Sequence, residues 1–230
     1  MLLLADLDNT LIDRDRAFHS WAREFAAEVT GGTGTPACEA ESEAAARWLI
    51  EADASGYAPR PELAERIRTR FGLHDPVEAV LERLLSGFLP RIDFYPGVQQ
   101  RLVDLKARGS ALVIVTNGVV RQQSRKLAQT GLDELADACL ISEAVGAKKP
   151  DPQIFAEALA AIPRRSGDAA PAPSDAWMIG DHPVADIAGA RAAGLSTAWV
   201  SHDRPWTEPW LPTLTAATTA EALDLLATRP

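Results

Sequence analysis

Four short stretches of this 230-residue chain carry side chains that could share one reaction. They are Asp6-Leu7-Asp8-Asn9-Thr10, Thr116-Asn117-Gly118, Lys148-Lys149-Pro150, and Gly180-Asp181 followed by Asp186. Asp6 and Asp8 lie where extended chain gives way to a turn, so alternate side chains, and hence both carboxylates, can face one ligand. Such a pair repels, and each raises the other's pKa unless a cation lies between them. A hard ion such as Mg2+ accepts one or two carboxylates and fills its other positions with water and phosphate oxygens. The Thr116 hydroxyl and the Asn117 backbone N–H can hold a phosphate oxygen at the start of a helix. Lys149 offers an ammonium to offset the charge of a carboxylate attacking a phosphate dianion. Lys148 reads as the solvated neighbour. Asp181, after the apolar run Trp177-Met178-Ile179-Gly180, is a candidate metal ligand, and Asp186 could support Lys149 or a metal-bound water from behind.

Each stretch also has a plainer explanation. Asp8, Asn9 and Thr10 could cap a helix, Thr116-Asn117-Gly118 could be an Asn-Gly turn, and Asp186 could favour a helix dipole. Placement argues for chemistry. Three of the four stretches follow apolar runs that read as buried parallel strands. In an open parallel sheet, ligands bind beyond the carboxyl ends of the strands, near the reversal of strand order.

The elements that must position these residues follow from periodicity. Strands are expected at Leu2–Ala5, Ala111–Val115, Cys139–Ile141, Ala176–Ile179 and Thr197–Val200. Between them helical patterns run from Val98 to Leu105, Arg121 to Thr130, Ile154 to Leu159 and Val184 to Ala193, with a last one from Ala220 to Ala227. That alternation predicts an α/β, doubly wound (Rossmann-like) parallel-sheet core. No strand pattern occurs between Asp15 and Phe94. Phe18, Trp21, Phe25 and Val29 mark one helix there and Glu39 to Ala52 a second. Leu63, Ile67 and Phe71 mark a third, and Asp75-Pro76 reads as the N-cap and first residue of a fourth. Residues 15–94 are therefore expected to form an inserted all-helical cap domain, and residues 1–14 with 95–230 the catalytic core. Breaks are expected at Gly31-Gly32-Thr33-Gly34-Thr35-Pro36 and in a surface loop from Ser166 to Ser174.

Composition narrows the class. The formal charge of −9 argues against nucleic-acid or membrane-surface binding, which would need a basic stripe. Two cysteines, Cys38 and Cys139, make neither a disulfide framework nor a zinc site. The apolar start is interrupted by Asp6 too early for a signal peptide, and no run approaches the ~20 residues of a membrane span. The expectation is a cytoplasmic protein whose oligomeric state is not legible. His19, His74, His182 and His202 lack metal spacing, with His182 expected on an exposed loop.

Together the residues resemble the haloacid dehalogenase (HAD) superfamily of phosphohydrolases. The resemblance rests on Asp6-Leu7-Asp8-Asn9-Thr10-Leu11, Val115-Thr116-Asn117-Gly118, Lys149-Pro150-Asp151-Pro152-Gln153-Ile154-Phe155, and Ile179-Gly180-Asp181 with Asp186-Ile187-Ala188-Gly189-Ala190-Arg191. Their order and spacing match over essentially the whole chain. Tyr95-Pro96-Gly97 looks like the return from cap to core, and the helical insertion looks like a C1-type cap. The resemblance implies that Asp6 attacks phosphorus and forms an aspartyl-phosphate. It implies that Asp8 protonates the leaving oxygen and then activates water, while Thr116 orients the phosphoryl group and Lys149 offsets its charge. The carboxylates of Asp6 and Asp181, with the main-chain carbonyl of Asp8, would hold Mg2+, and the substrate would be a small phosphorylated metabolite. Metal-free dehalogenases of the superfamily lack the second aspartate, present here as Asp8. A phosphonatase needs a cap lysine, and none occurs from Met1 to Leu105. A sugar phosphomutase shares the first chemical step, and a non-catalytic binding protein on the same fold would be expected to have lost a charged position.

Overall fold

The computed structural model describes residues 1–31, 35–162 and 172–229. Gly32-Thr33-Gly34 of the expected glycine-rich break and most of the loop from Ser166 thus lie outside the described residues. The chain forms two compact units, Arg14–Asp93 and Met1–Asp13 together with Phe94–Pro230.

The Arg14–Asp93 unit is helical: α1 (Arg14–Thr30), α2 (Pro36–Asp53), α3 (Arg60–Phe71) and α4 (Val77–Ser86). Helix α2 starts earlier than periodicity suggests, because Thr35 caps it by accepting from the Cys38 N–H and Pro36 pre-sets the first turn. Asp75 does not cap α4. Pro76 stands at the cap position without a side-chain bond, so the helix opens one residue later than expected. The interior is aromatic, with Phe18 edge-on to Phe88 and Phe25 edge-on to Phe71. One ionic knot is buried in it. Arg14 Nη1 and Nη2 both donate to the Asp53 carboxylate, and Arg60 adds a bond of 2.6 Å.

Among the described residues of the other unit, six strands form one sheet: β1 (Leu2–Ala5), β2 (Ala111–Thr116), β3 (Ala138–Ile141), β4 (Ala176–Gly180), β5 (Ser196–Val200) and β6 (Leu214–Ala216). The order is β3-β2-β1-β4-β5-β6 and every pairing is parallel. Strand β6 was not expected. Its three residues are too few to show a period, and only pairing with β5 extends them. The helices are α5 (Val98–Ala107), α6 (Val120–Thr130), α7 (Leu132–Leu135), α8 (Ser142–Val145), α9 (Pro152–Ala160), α10 (Gly189–Ala192) and α11 (Thr219–Ala227). The helix expected from Val184 to Ala193 is instead a π-helical turn, Pro183–Ala188, continued by α10.

Leu2 and Leu4 of β1, Val113 and Val115 of β2 and Met178 of β4 pack with Ile154, Phe155 and Ala158 of α9 in one buried cluster. Burying each such large side chain is worth ~1.5–3 kcal/mol, so the central strands are held firmly beneath their polar ends. Strand order turns outward from β1 in both directions, which places the switch point between β1 and β4. Asp6 and Asp181 are the residues that follow those two strands. Among the described residues no helix is long and apolar enough to cross a membrane.

Candidate active site

Asp6 leaves β1 buried, its backbone N–H bonded to the Ile179 carbonyl of β4. The chain then folds into a tight turn in which Leu11 and Ile12 donate to the Leu7 carbonyl. Asn9 takes a positive φ of 58° within it. Helix α1 begins only at Arg14, so Asp8, Asn9 and Thr10 do not cap it. Thr10 instead donates to Asp6 Oδ2 at 3.2 Å.

Lys149 is buried against these groups. Its Nζ lies 2.5 Å from Asp6 Oδ1, 2.7 Å from the Val115 carbonyl and 2.7 Å from Asp186 Oδ1. Lys148 is exposed. The Lys149 backbone is fixed by Asn117, whose side-chain amide donates to the Lys149 carbonyl and accepts from its N–H, both at 2.9 Å. Asp186 also accepts from the His182 N–H at 2.9 Å. Its carboxyl lies tight beneath the end of β4, where a Cβ at Gly180 would stand 2.4 Å from it. Glycine at that position is a packing requirement.

Asp6, Asp181 and Asp186 each bring a carboxylate oxygen within 4.8 Å of the others. Burial, then repulsion from Asp186 and Asp8, pushes the Asp6 carboxyl up to about 7 against the pull of Lys149. Burial, then repulsion from Asp186 and Asp6, holds Asp181 well above the ordinary carboxylate range, opposed by Arg204. Burial disfavours the Lys149 ammonium, but Asp186 and Asp6 outweigh it and leave its pKa above that of an ordinary lysine. Hard oxygen donors crowded enough to resist ionisation are what a divalent cation such as Mg2+ would relieve, so the residues fit that ion.

The Asp8 carboxylate is engaged away from this trio. Lys126 Nζ donates to both its oxygens at 2.7 Å, and Gln123 Nε2 donates to Oδ2 at 2.9 Å and to Thr116 Oγ1 at 2.6 Å. Neither residue was anticipated. Their signal was nonetheless present: Gln123, Lys126 and Leu127 share the buried face of α6, where helical spacing calls for apolar residues. Two further residues were missed on the segment after β5. Arg204 donates to the Asp181 carbonyl at 2.8 Å and to Oδ2 at 3.1 Å, and the His202 ring lies 2.7 Å from the Asn9 carbonyl. His182 is not the exposed loop residue expected. It is half-buried, and Nδ1 accepts from the Val184 and Ala185 N–H groups to cap the π-helical turn.

The model of the haloacid dehalogenase-like hydrolases matches residues 1–194. A phosphoserine phosphatase of Thermus thermophilus is 41% identical over 110 residues, covering 48% of this chain and 41% of that protein, so this alignment spans under half of the relative. A glyceraldehyde 3-phosphate phosphatase of Methanothermobacter thermautotrophicus is 30% identical across 86% of this chain and 84% of its own. Among solved structures, the HAD-hydrolase YfnB of Bacillus subtilis bound to magnesium superposes with a TM-score of 0.72 at 25% identity, covering 98% and 97% of the two chains. The chain belongs to the haloacid dehalogenase-like hydrolases, and within them it is a phosphomonoester hydrolase.

Proposed function

We propose that the chain hydrolyses a small phosphorylated metabolite, with Mg2+, through an aspartyl-phosphate on Asp6. The observation that carries this reading is the Lys149 ammonium held at 2.5 Å from a buried Asp6 carboxylate at the sheet's switch point. An oxygen of Asp6 attacks phosphorus in line, and the bond from phosphorus to the substrate oxygen breaks. Asp8 delivers a proton to the departing oxygen. In the second half, Asp8 takes a proton from water as that water attacks phosphorus, which frees Asp6 and releases inorganic phosphate. Lys149 offsets the charge gathered on Asp6 and the phosphoryl oxygens, and the Thr116 hydroxyl with the Asn117 N–H orients the group in transfer. Asp186 keeps Lys149 in place. Asp6 and Asp181, with the Asp8 main-chain carbonyl, would hold Mg2+, whose charge screens Asp6 from the phosphate dianion.

The relatives act on phosphoserine and glyceraldehyde 3-phosphate. Their names support a small phosphate monoester as the substrate class here. The test is phosphate release from a panel of phosphorylated metabolites, with and without Mg2+, beside Asp6→Asn. Release is expected only with metal and only from the wild type. Equal release by the variant would remove Asp6 as nucleophile.

A further inference from the structure

We propose that Gln123 and Lys126 are positioning residues that aim the Asp8 carboxylate at the leaving oxygen. The inference rests on the phosphohydrolase reading above and adds to it what holds the proton-transferring group. Lys126 meets both Asp8 oxygens at 2.7 Å, so it fixes the plane of the carboxylate as well as its position. Gln123 ties the same carboxylate to Thr116, joining the group that transfers the proton to the hydroxyl that orients the phosphoryl group. Both clamp residues stand on the first turns of α6, which starts just beyond Thr116-Asn117-Gly118, so one rigid helix indexes both partners. Gly118 belongs to the same device. A Cβ there would lie 2.9 Å from Gln123 Cγ, and its φ of 155° favours glycine.

Burial separates the roles. The Lys126 side chain is 2% exposed and that of Asp8 is 24% exposed, so Asp8 faces outward and Lys126 lies behind it. Lys126 therefore acts through Asp8. A surface lysine would neutralise an exposed aspartate with less desolvation, so the buried placement points to geometry as its use. Reacting groups displaced by about 1 Å can lose ~10²-fold in rate, which makes such a clamp effective.

The test uses leaving groups of different need. Nitrophenolate departs with little help from a proton, whereas phenolate needs one. Wild type, Asp6→Asn, Lys126→Met, Gln123→Met, Asp8→Asn and the Lys126→Met/Asp8→Asn double variant are assayed on p-nitrophenyl phosphate and phenyl phosphate with Mg2+. Lys126→Met is expected to lower kcat/KM for phenyl phosphate by about 10–100-fold, within the range of general acid–base catalysis. The loss on p-nitrophenyl phosphate should be several-fold smaller. Gln123→Met should repeat the pattern more weakly, giving a second variant that leaves the Asp8–Lys126 pair intact. Lys126→Met should add little to Asp8→Asn, as residues acting through one group are non-additive. With the wild type active and Asp6→Asn inactive, equal losses on both esters would overturn the clamp and spare the phosphohydrolase reading. A wild type that releases phosphate from neither ester nor any member of the metabolite panel would overturn both.

Discussion

Asp6 is held between opposing demands: burial and the carboxylates of Asp186 and Asp8 favour its neutral form, and Lys149 favours its anion. As the proposed nucleophile, Asp6 depends on its cationic partner to favour the anion, so the residues behind Lys149 matter as much as Lys149 itself. Gly180 is the most direct of them to test. A methyl group there would press on Asp186 Cβ, Cγ and Oδ2 alike at 2.4 Å and drive that carboxyl off the lysine. Gly180→Ala should destabilise the protein by about 1–3 kcal/mol through overpacking. It should also lower phosphate release, read by urea melts and by a phosphate assay on the same preparation. Unchanged values in both would show that Asp186 has room to move.

At the scale of elements, α6 and the turn after β1 do more than connect strands. The turn puts Asp6 and Asp8 into different surroundings, one among acids and Lys149, the other against Gln123 and Lys126. Two like residues thereby meet unlike environments, on which the unlike roles proposed for them rest. In the helical unit the corresponding device is the knot of Arg14, Asp53 and Arg60. Burial works against ionising Asp53, but the two guanidiniums outweigh it and hold its carboxyl below the usual range. Asp53 also accepts from the Gly56 N–H at 2.9 Å, pinning the turn in which Ala54 and Ser55 both take positive φ. Asp53→Ala would remove the buried carboxylate that Arg14 and Arg60 share and free that turn. The expected cost is about 3–5 kcal/mol, measured by urea denaturation of the full chain. A loss below about 1 kcal/mol would mean that Asp15 and water replace what Asp53 supplies to Arg14.

The whole molecule carries −9 and gathers three acids at one sheet edge, so its stability should depend on pH and on metal together. Asp6 rises from its ordinary 3.8 to about 7 on folding. A raised pKa means that the folded state binds the proton more tightly. The stability this gives is fully present below about 4 and is lost as pH rises through about 7. Asp6→Asn imitates the neutral form at every pH. In chelator, wild type and Asp6→Asn should match near pH 4, and the variant should become the more stable as pH approaches and passes 7. Saturating Mg2+ should shrink that difference, because an ion that binds only the folded wild type stabilises it by mass action. Urea melts at several pH values, with chelator and with Mg2+, read the effect. A difference that does not change with pH would show that Asp6 keeps its ordinary pKa.

The five longer strands, most of the helices and, as candidates, the set Asp6, Asp8, Thr116, Lys149, Asp181 and Asp186 were legible because apolar runs, helical periods and short polar motifs are local patterns. Charged residues directly after buried strands also reveal which end of the sheet they share. Gln123 and Lys126 were not legible as partners of Asp8. A polar residue on a helix's buried face signals only that a partner exists, and the partner lies more than a hundred residues away across the sheet. The same holds for Arg204 on Asp181, for His202 beside Asn9, and for β6, which exists through pairing with β5. Residue types and spacing are written along the chain and point to the chemistry proposed. Which buried cation meets which carboxylate depends on distances set by packing, and those arise only when strands far apart in the chain lie side by side.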